Sequence, residues 1–321
     1  MKAAVVYEPG SEDALRYQEV PDPEPRSDEV RIRVRAAAIN RGDLGRRAGL
    51  YRGGDLKYPL IIGWDIAGEI ESVGRNVDDR RVGERVVALI PQGGYAELAT
   101  APSKGAVRLP NNVSFDEAAA LPVAYLTPWY GLLRRARLQS GEVALIQAGA
   151  SGVGVGGIQM AKNQGATVIT TAGSRDKVGF CAGLLGADYA INYAEQDFVE
   201  EVRRITDGRG VDVVLESVGG ETLAKSIDVV APFGRLVSVG NSSRQTAMID
   251  ATAFLNKRCQ MEGFSLLVQT DLPKELANLV EEVSKGKVKA IIDKVYPLRE
   301  VAAAHRYVGA RQNIGKVILH P

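Results

Sequence analysis

The residues with the clearest chemical potential form a glycine turn between Val143 and Gly157, with the sequence VALIQAGASGVGVGG. The apolar run before the turn predicts a buried strand that ends near Ala148, and residues 158–162 carry apolar side chains at helical spacing. A strand, a glycine turn and a helix can together hold the pyrophosphate of a dinucleotide at the helix N-terminus. The alternative is a glycine-rich turn that binds no ligand.

The register of this turn decides which residues would meet the phosphates. Gly152, Gly154 and Gly157 match G-x-G-x-x-G literally, but that register starts well past the strand, at the beginning of the helix. We prefer a register that starts at Gly149 and has Ser151 in second place, where a hydroxyl can donate to a phosphate. The predicted phosphate-binding residues are therefore Gly149, Ser151, Gly152, Val153 and Gly154.

The end of the next strand predicts which dinucleotide binds. About twenty residues after the turn, an NAD site usually has an acidic side chain for the ribose 2′-hydroxyl. Here the strand ends in small residues followed by Ser174, Arg175 and Lys177. A serine and two cations suit a 2′-phosphate, so the pattern favours NADPH. The alternative is that Ser174 only caps a helix and that both cations are solvated.

Later strand ends supply further candidates for cofactor binding. Ligands of open α/β sheets bind outside the carboxyl ends of the strands. Simple turn formation is the competing explanation for these residues. The candidates are Tyr193, Ser217, Gly240 and Asn241.

The pattern of predicted secondary structure changes at about residue 114. Before it, short strands alternate with turns such as 21–25, Gly53–Gly54 and Gly93–Gly94, which suggests a partly closed barrel or a sandwich. After it, strands alternate with helices, which implies a parallel, doubly wound sheet. A last strand at 315–319 has no predicted parallel partner nearby and is expected to return to the first domain.

Composition narrows the class of protein. The 321 residues carry 40 basic and 39 acidic side chains, so we expect neither a nucleic-acid partner nor an anionic membrane surface. Two cysteines, Cys181 and Cys259, are too few for a disulfide framework or a cysteine-based zinc site. No signal peptide and no apolar run of about 20 residues is visible, so we expect a soluble, cytoplasmic protein.

Four segments together resemble the zinc-independent, quinone oxidoreductase (zeta-crystallin-like) branch of the medium-chain dehydrogenase/reductase superfamily. The resemblance extends over nearly the whole chain. The segments are Asn40-Arg-Gly-Asp43 with Gly49-x-Tyr51, the run from Pro59 through Gly63-Trp64-Asp65 to Gly68, Leu121-Pro122 with Thr127, and the glycine turn with its helix.

The resemblance implies a fold and an assembly. The fold class would be α/β, with a Rossmann doubly wound parallel sheet in residues 123–263 and a β-rich GroES-like domain in residues 1–122 and 264–321. The active site would lie in the cleft between the two domains. The resemblance also implies a homodimer in which the edge strands of the two cofactor sheets pair. In this chain the edge strand would lie between Arg235 and Gly263.

The resemblance also implies that no metal takes part. Zinc-dependent relatives place Cys, His and Cys at positions that match Asn40, Trp64 and about Val123, and none of these three can bind zinc. Without a Lewis acid, reduction of ordinary ketones loses several kcal/mol of stabilisation. Quinones, or alkenes activated by a carbonyl group, are better acceptors of a hydride. Packing in the core is the favoured role of Trp64.

Site roles follow from matching positions in related enzymes. Tyr51 would donate to the oxyanion that forms on the substrate, and the alternative is a loop aromatic that closes the cleft. Asn40 and Asp43 lie on the same segment, and Asn40 and Thr127 would position substrate or nicotinamide. Phe264 and Leu266 would wall the nicotinamide pocket. Lys316 would reach the cofactor phosphates or, alternatively, be solvated.

The sequence thus predicts an oxidoreductase that transfers hydride from NADPH to a quinone, a small-molecule electrophile. An NADPH-dependent reductase of activated alkenes, such as enones or enoyl thioesters, is the second hypothesis. A third hypothesis, from another class, is an NADPH-binding protein with little turnover that acts as a sensor or structural protein.

Overall fold

The chain folds into two compact units in a computed structural model that describes residues 1–51 and 56–321. One unit contains Met1–Ala124 and Thr270–Pro321, and the other contains Tyr125–Gln269. The boundaries predicted from the sequence lie two and six residues earlier in the chain. The predicted turn at Gly53–Gly54 lies outside the described residues.

The N-terminal part of the chain is built from short strands. Its two helices are α1 (Arg41–Arg47) and α2 (Phe115–Ala120), and short 3-10 turns lie at Glu12–Ala14 and Ser103–Gly105. The strands are β1 (Lys2–Val6), β2 (Leu15–Glu19), β3 (Glu29–Ala38), β4 (Leu60–Ile61), β5 (Asp65–Val73), β6 (Arg85–Leu89), β7 (Leu98–Pro102) and β8 (Val107–Arg108).

The central part alternates between strands and helices. It begins with α3 (Pro122–Pro128), which continues into a π-helical segment at Trp129–Arg135. The elements that follow are β9 (Val143–Ile146), α4 (Gly152–Asn163), β10 (Thr167–Ala172), α5 (Arg175–Gly183), β11 (Tyr189–Asn192), α6 (Phe198–Ile205), β12 (Val211–Glu216), α7 (Gly220–Asp228), β13 (Val230–Ser238), α8 (Ala251–Lys257) and β14 (Gln260–Gly263).

The C-terminal part returns to the β-rich unit. After a 3-10 turn at Leu266–Val268 it contains α9 (Leu272–Ser284), β15 (Ile292–Pro297), a 3-10 turn at Leu298–Glu300, α10 (Val301–Gly309) and β16 (Lys316–His320). The last strand pairs antiparallel with β3, with Ile318 opposite Ala38. The predicted return of the final strand is therefore confirmed.

The central unit contains a six-stranded sheet in the order β11-β10-β9-β12-β13-β14. All neighbouring pairs run parallel, so the carboxyl ends of the strands lie at one edge of the sheet. Buried aliphatic side chains on successive strands, such as Leu145, Ile169 and Val214, form its core. This arrangement confirms the predicted doubly wound sheet.

The β-rich unit contains a seven-stranded sheet and a smaller three-stranded sheet. The larger sheet follows the order β15-β16-β3-β5-β6-β8, with β7 paired to β3, and the smaller one follows β2-β1-β4. Ile32, Ile66 and Ile70 are among the fully buried side chains of its core. Strand β5 and helix α1 both begin at the C-terminal end of β3. They carry the polar residues of the candidate site.

Several elements differ from the sequence prediction. Helix α1 was not expected, since Gly42 and Gly45 lower its intrinsic helix propensity. Strand β15 was also missed, and it supplies the parallel partner of β16. The sequence also predicts a helix at about 124–135, but this segment is α-helical only to Pro128, because a proline has no N–H for the helical ladder.

Candidate active site

The glycine turn of the central unit has the predicted strand–turn–helix structure. Strand β9 ends at Ile146 and α4 begins at Gly152, so the literal glycine match starts inside the helix. Ser151 is the N-cap, and its Oγ accepts a hydrogen bond from the Gly154 amide at 3.0 Å. The hydroxyl hydrogen of Ser151 therefore stays available for a phosphate, as the preferred register requires.

Tight packing explains why two positions in this turn are glycine. A Cβ atom on Gly149 would lie 2.1 Å from Thr170 Oγ1, and one on Gly154 would lie 2.2 Å from the Ala148 carbonyl oxygen. The first amides of a helix have no partner within the helix, so those of Gly152 and Val153 can bind an anion. The turn thus fits the pyrophosphate of a dinucleotide.

The end of β10 places the three predicted 2′-phosphate residues in the first turn of α5. Ser174 is the N-cap and accepts from the Lys177 amide at 3.4 Å. The Arg175 side chain is 85% exposed, and its Nε donates to Glu195 at 3.0 Å. The capping role of Ser174 and the exposure of Arg175 agree with the alternative interpretation, so the phosphate contact stays a prediction.

Tyr193 lies against the same strand end. A Cβ atom on Gly173 would be 2.4 Å from the Tyr193 hydroxyl oxygen, so glycine is what allows this close approach. The tyrosine side chain is 50% exposed. Its position fits the predicted contact with the cofactor, which no observation tests.

The turns after β12 and β13 are tied together by hydrogen bonds. The buried Glu216 carboxylate accepts from the amides of Val218 and Gly219, and the Ser217 carbonyl accepts from the Ser242 amide. A Cβ atom on Gly240 would be 3.3 Å from that carbonyl oxygen. The Asn241 side chain also bonds within its own turn. Ser217, Gly240 and Asn241 are thus brought together at the sheet edge.

The remaining candidates of the central unit are buried. Thr127 is 5% exposed on α3. Phe264 stacks on Tyr130 with ring centroids 5.6 Å apart, and Leu266 is 7% exposed in the following turn. All three lie in the unit of Tyr125–Gln269. Phe264 and Leu266 therefore do not belong to the β-rich domain to which the sequence boundary assigned them.

In the β-rich unit, Asn40 is the N-cap of α1 and is held from two sides. Its Nδ2 donates to Asp65 Oδ2 at 2.9 Å, and its Oδ1 accepts from Lys316 Nζ at 2.6 Å. The side chain is 6% exposed. The structure thus shows Asn40 as a positioning residue that joins β3, β5 and β16, and its direct contact with a substrate stays a prediction.

Lys316 corrects a sequence prediction. Its ammonium group is 3% exposed, donates to the Ile39 carbonyl at 2.9 Å and lies 3.6 Å from Asp65 Oδ2. Burial lowers the pKa of Lys316 and raises that of Asp65, while the charge of each opposes the shift of the other. Lys316 is therefore neither solvated nor directed at cofactor phosphates, because it forms an internal ion pair.

Asp43, which the sequence assigned to catalysis, is fully buried. Its Oδ2 accepts from the Asn40 amide at 2.9 Å and from the Tyr95 hydroxyl at 3.0 Å. Burial raises the pKa of Asp43 to about 7. Beyond it, Tyr95 lies 3.4 Å from Nε2 of buried His305. Asp43 is thus a positioning residue that fixes the start of α1, because a group with no exposed surface cannot meet a substrate.

Tyr51 lies beside a buried tryptophan and a buried arginine. Its ring meets the Trp64 ring edge-on at 5.5 Å, and the Arg46 guanidinium lies 6.0 Å from the Tyr51 ring and 5.4 Å from the Trp64 ring. A Cβ atom on Gly42 would lie 2.2 Å from the Trp64 ring, which packs on α1. Burial raises the pKa of half-buried Tyr51, so its hydroxyl stays protonated at neutral pH.

In the β-rich unit, the ammonium of Lys316 lies beside the positions that the resemblance matches to the zinc ligands of zinc-dependent relatives. Among the described residues, no group of three His, Cys, Asp or Glu side chains is placed to bind a metal ion. At the predicted positions, Asn40 bonds to Lys316 and Asp65, Trp64 is packed on α1, and the Val123 amide donates to Asp65 at 3.3 Å. The ammonium of Lys316 occupies the polar side of this cluster and would repel a divalent cation.

Sequence reasoning missed Arg46, Tyr95 and His305. Asn40 followed by Asp43 has the spacing of a capping box, which would have predicted α1 and placed Arg46 on the helix. Tyr95 and His305 lie far away in the sequence and carry no local signal. In the parts of the chain that the structure describes, no helix is long and apolar enough to cross a membrane.

Comparisons with known proteins agree with this architecture. A family model for the alcohol dehydrogenase GroES-like domain matches residues 26–111, and one for zinc-binding dehydrogenases matches residues 185–319. The chain is 34% identical to a 2-haloacrylate reductase from Burkholderia sp, over 99% of this chain and 98% of the relative. It is 35% identical to a quinone oxidoreductase of Pseudomonas aeruginosa, over 97% of each chain.

A solved structure extends the likeness to three dimensions. The quinone oxidoreductase of Escherichia coli, crystallised with NADPH, matches with a TM-score of 0.93 and 31% identity over the full length of both chains. Sequence and fold thus agree over the whole chain, including both the GroES-like unit and the Rossmann unit. The chain belongs to the quinone oxidoreductase-like branch of the medium-chain dehydrogenase/reductase superfamily and is an NAD(P)H-dependent oxidoreductase.

Proposed function

We propose that this protein is an NADPH-dependent, metal-independent reductase that transfers hydride to a quinone. The observation that carries the proposal is the group formed by Tyr51 and Arg46 in the β-rich unit. It offers a protonated hydroxyl and a cation, which can stabilise negative charge on a substrate oxygen without a metal. The relative named quinone oxidoreductase supports the choice of acceptor.

The Rossmann unit supports NADPH as the cofactor. Bound NADPH would supply a hydride to the acceptor. The amides of Gly152 and Val153 and the Ser151 hydroxyl would bind its pyrophosphate. Ser174, Arg175 and Lys177 would bind the 2′-phosphate, and Arg175 is exposed enough to turn from Glu195 toward a phosphate.

Tyr51 would act on the substrate oxygen. Its raised pKa keeps the proton on the hydroxyl, so it can donate a hydrogen bond as negative charge develops. The buried ion pair of Lys316 and Asp65 holds Asn40 and therefore the start of α1, which precedes Tyr51 in the chain. Asn40, Asp65 and Lys316 thus set the position of this segment.

A second candidate acceptor is an alkene conjugated to a carbonyl group. The relative named 2-haloacrylate reductase supports it, and so does the buried positive charge of Arg46 beside Tyr51. Hydride would add to the β-carbon, negative charge would move to the carbonyl oxygen, and a proton would then reach the α-carbon. The same donors serve this reaction and the reduction of a quinone.

The test is a parallel rate measurement. Purified protein in chelator-treated buffer would receive NADPH or NADH with a quinone, an enone or an enoyl thioester. We expect oxidation of NADPH faster than that of NADH with at least one acceptor, and no gain from added zinc. Tight binding of NADPH without oxidation by any acceptor would instead support the hypothesis of a sensor or structural protein.

We also propose that the protein is a homodimer joined through β14. All four residues of this edge strand are exposed, and they leave one side of the parallel sheet unpaired. Large exposed apolar side chains lie on this strand and on the elements next to it in the chain or the sheet, namely Met261 on β14, Phe233 on β13, Leu255 on α8 and Val268 in the following 3-10 turn. A second copy of the chain would pair with the strand and cover these side chains.

A further inference from the structure

Arg46 is a buried cation that has no acidic partner in the part of the chain that the structure describes. Its side chain is 7% exposed, and it forms no ion pair with any residue in the ranges 1–51 and 56–321. One of its terminal nitrogens donates to the Pro91 carbonyl, and its Nε is buried without an acceptor. A guanidinium carries five N–H donors, and among the described residues the Pro91 carbonyl is the one acceptor recorded for them.

Contacts with aromatic rings do not explain this arrangement fully. The Trp64 and Tyr51 rings lie 5.4 and 6.0 Å from the guanidinium carbon, which stabilises the charge only in part. Removal of a cation from water costs more free energy than such contacts return, because ring faces do not replace the lost acceptors. A guanidinium in such a place is suited to receive an anion.

The acidic side chains near Arg46 are engaged by other residues. Asp43 is the acidic group whose charge most affects Arg46, but it makes no ion pair with it and bonds to Asn40 and Tyr95 instead. The carboxylate of Asp65 is engaged by Lys316. Arg46 differs in this from its neighbour Arg47, which donates to Glu12 at 2.7 Å.

The position of Arg46 indicates what the anion is. The guanidinium lies beside half-buried Tyr51, the residue proposed above to donate to the substrate oxygen. Arginine binds a carboxylate through two parallel hydrogen bonds, a geometry that a lysine cannot reproduce. A conjugated substrate that carries a carboxylate would bring its anion and its reacting double bond to the same group of side chains.

We propose that Arg46 recognises the carboxylate of an α,β-unsaturated acid and thereby selects acidic alkenes over neutral alkenes such as their esters. This inference rests on the proposed reductase function. It adds the substrate class and names a specificity-determining residue that the sequence did not reveal.

The experiment compares matched acceptors in matched variants. NADPH oxidation would be measured with 2-chloroacrylate, with its methyl ester and with a neutral quinone. The variants are Arg46→Met, which keeps the apolar stem, Arg46→Lys, which keeps the charge, and Arg41→Met, which removes an exposed charge from the same helix. Thermal unfolding would show that each variant folds.

We expect Arg46→Met to lower kcat/KM for the acid about 10- to 100-fold, as loss of a charged hydrogen bond predicts, mainly through KM. The ester and the quinone, for which Arg46 faces only the developing oxyanion, should lose several-fold less than the acid, Arg46→Lys should recover part of the loss, and Arg41→Met should resemble the wild type. Equal losses for acid and ester, or no loss for either, would overturn the proposal.

A binding measurement separates this inference from the proposed function. Calorimetric titration with 2-chloroacrylate in the presence of NADP⁺ needs no turnover. If none of the acceptors supports oxidation of NADPH by the wild type, the proposed function fails. Binding of the acid to the wild type but not to Arg46→Met would still support the carboxylate site. If neutral acceptors are reduced and the acid does not bind, the function stands and the role of Arg46 is wrong.

Discussion

The buried pair of Lys316 and Asp65 gives the sharpest prediction about stability. The pair joins β16 to β5, and both side chains are almost completely buried. Replacement of Lys316 by methionine keeps the apolar stem but leaves a buried carboxylate without its cation. It also removes the donor to the Ile39 carbonyl and the Asn40 amide oxygen. Breaking one partner of a buried ion pair costs about 3–5 kcal/mol, which sets the expected loss for Lys316→Met.

The two tryptophans of the chain allow this loss to be measured in one unit. Trp64 lies in the β-rich unit and Trp129 in the Rossmann unit, so a Trp129→Phe background makes fluorescence report on the β-rich unit alone. Urea unfolding would be followed in this background. A separate probe is needed because two units need not unfold in a single transition.

A double-mutant cycle with Asp65→Asn completes the test. Each single change leaves one buried charge, whereas the double variant leaves none, so its loss should be smaller than the sum of the single losses by about 2 kcal/mol or more. Lys285→Met, which removes an exposed lysine paired with Glu281, should leave the urea midpoint unchanged. Additive losses, or a loss below about 1 kcal/mol for Lys316→Met, would refute the internal ion pair.

Four further predictions concern Asp43, the 2′-phosphate residues, Tyr51 and β14. Because burial raises the pKa of Asp43 to about 7, its ionisation opposes folding, and the free energy of unfolding should fall as pH rises from about 4 to 7. The free energy of unfolding of Asp43→Asn relative to the wild type should therefore rise by roughly 2–3 kcal/mol between pH 5 and pH 8 in urea titrations, and a difference that does not change with pH would contradict this. Arg175→Ala combined with Lys177→Ala should weaken NADPH binding, measured by fluorescence titration, about tenfold more than NADH binding, whereas equal losses would refute the phosphate assignment. Tyr51→Phe should lower kcat for quinone and enone reduction about 10- to 100-fold with little change in cofactor binding, and unchanged turnover would remove its donor role. Met261→Lys should shift the protein from dimer to monomer in light scattering, with exposed Leu184→Lys as the control, and an unchanged mass would exclude β14 as the interface.

The sequence predicted best what local patterns determine. The strand, turn and helix around Gly149 and Gly154 follow from apolar periodicity and from the glycines, and both positions prove too crowded for a Cβ atom. Helix α2 also begins at a local motif, since Ser114 and Glu117 form the mutual hydrogen bonds of a capping box. Each of these features depends on residues within a few positions of one another.

The sequence failed where the chemistry depends on distant contacts. Lys316 meets Asn40 across 276 positions, so nothing local distinguishes it from a solvated lysine or a phosphate ligand. Asp43 resembles a catalytic acid until its complete burial is known. Arg46 adjoins Arg47 on the same helix, and only the contacts in the fold show that Arg47 has a carboxylate partner while Arg46 lies beside two aromatic rings.

We propose that this chain passes hydride from NADPH to an electrophile without a metal. The most direct test uses NADPH deuterated at C4 on either face, chelator-treated protein and 2-chloroacrylate or a quinone as the acceptor. We expect slower oxidation for one of the two deuterated faces and, with the alkene, deuterium on the β-carbon of the product. Bound NADPH that is never oxidised, or oxidation that appears only after a divalent metal is added, would contradict it.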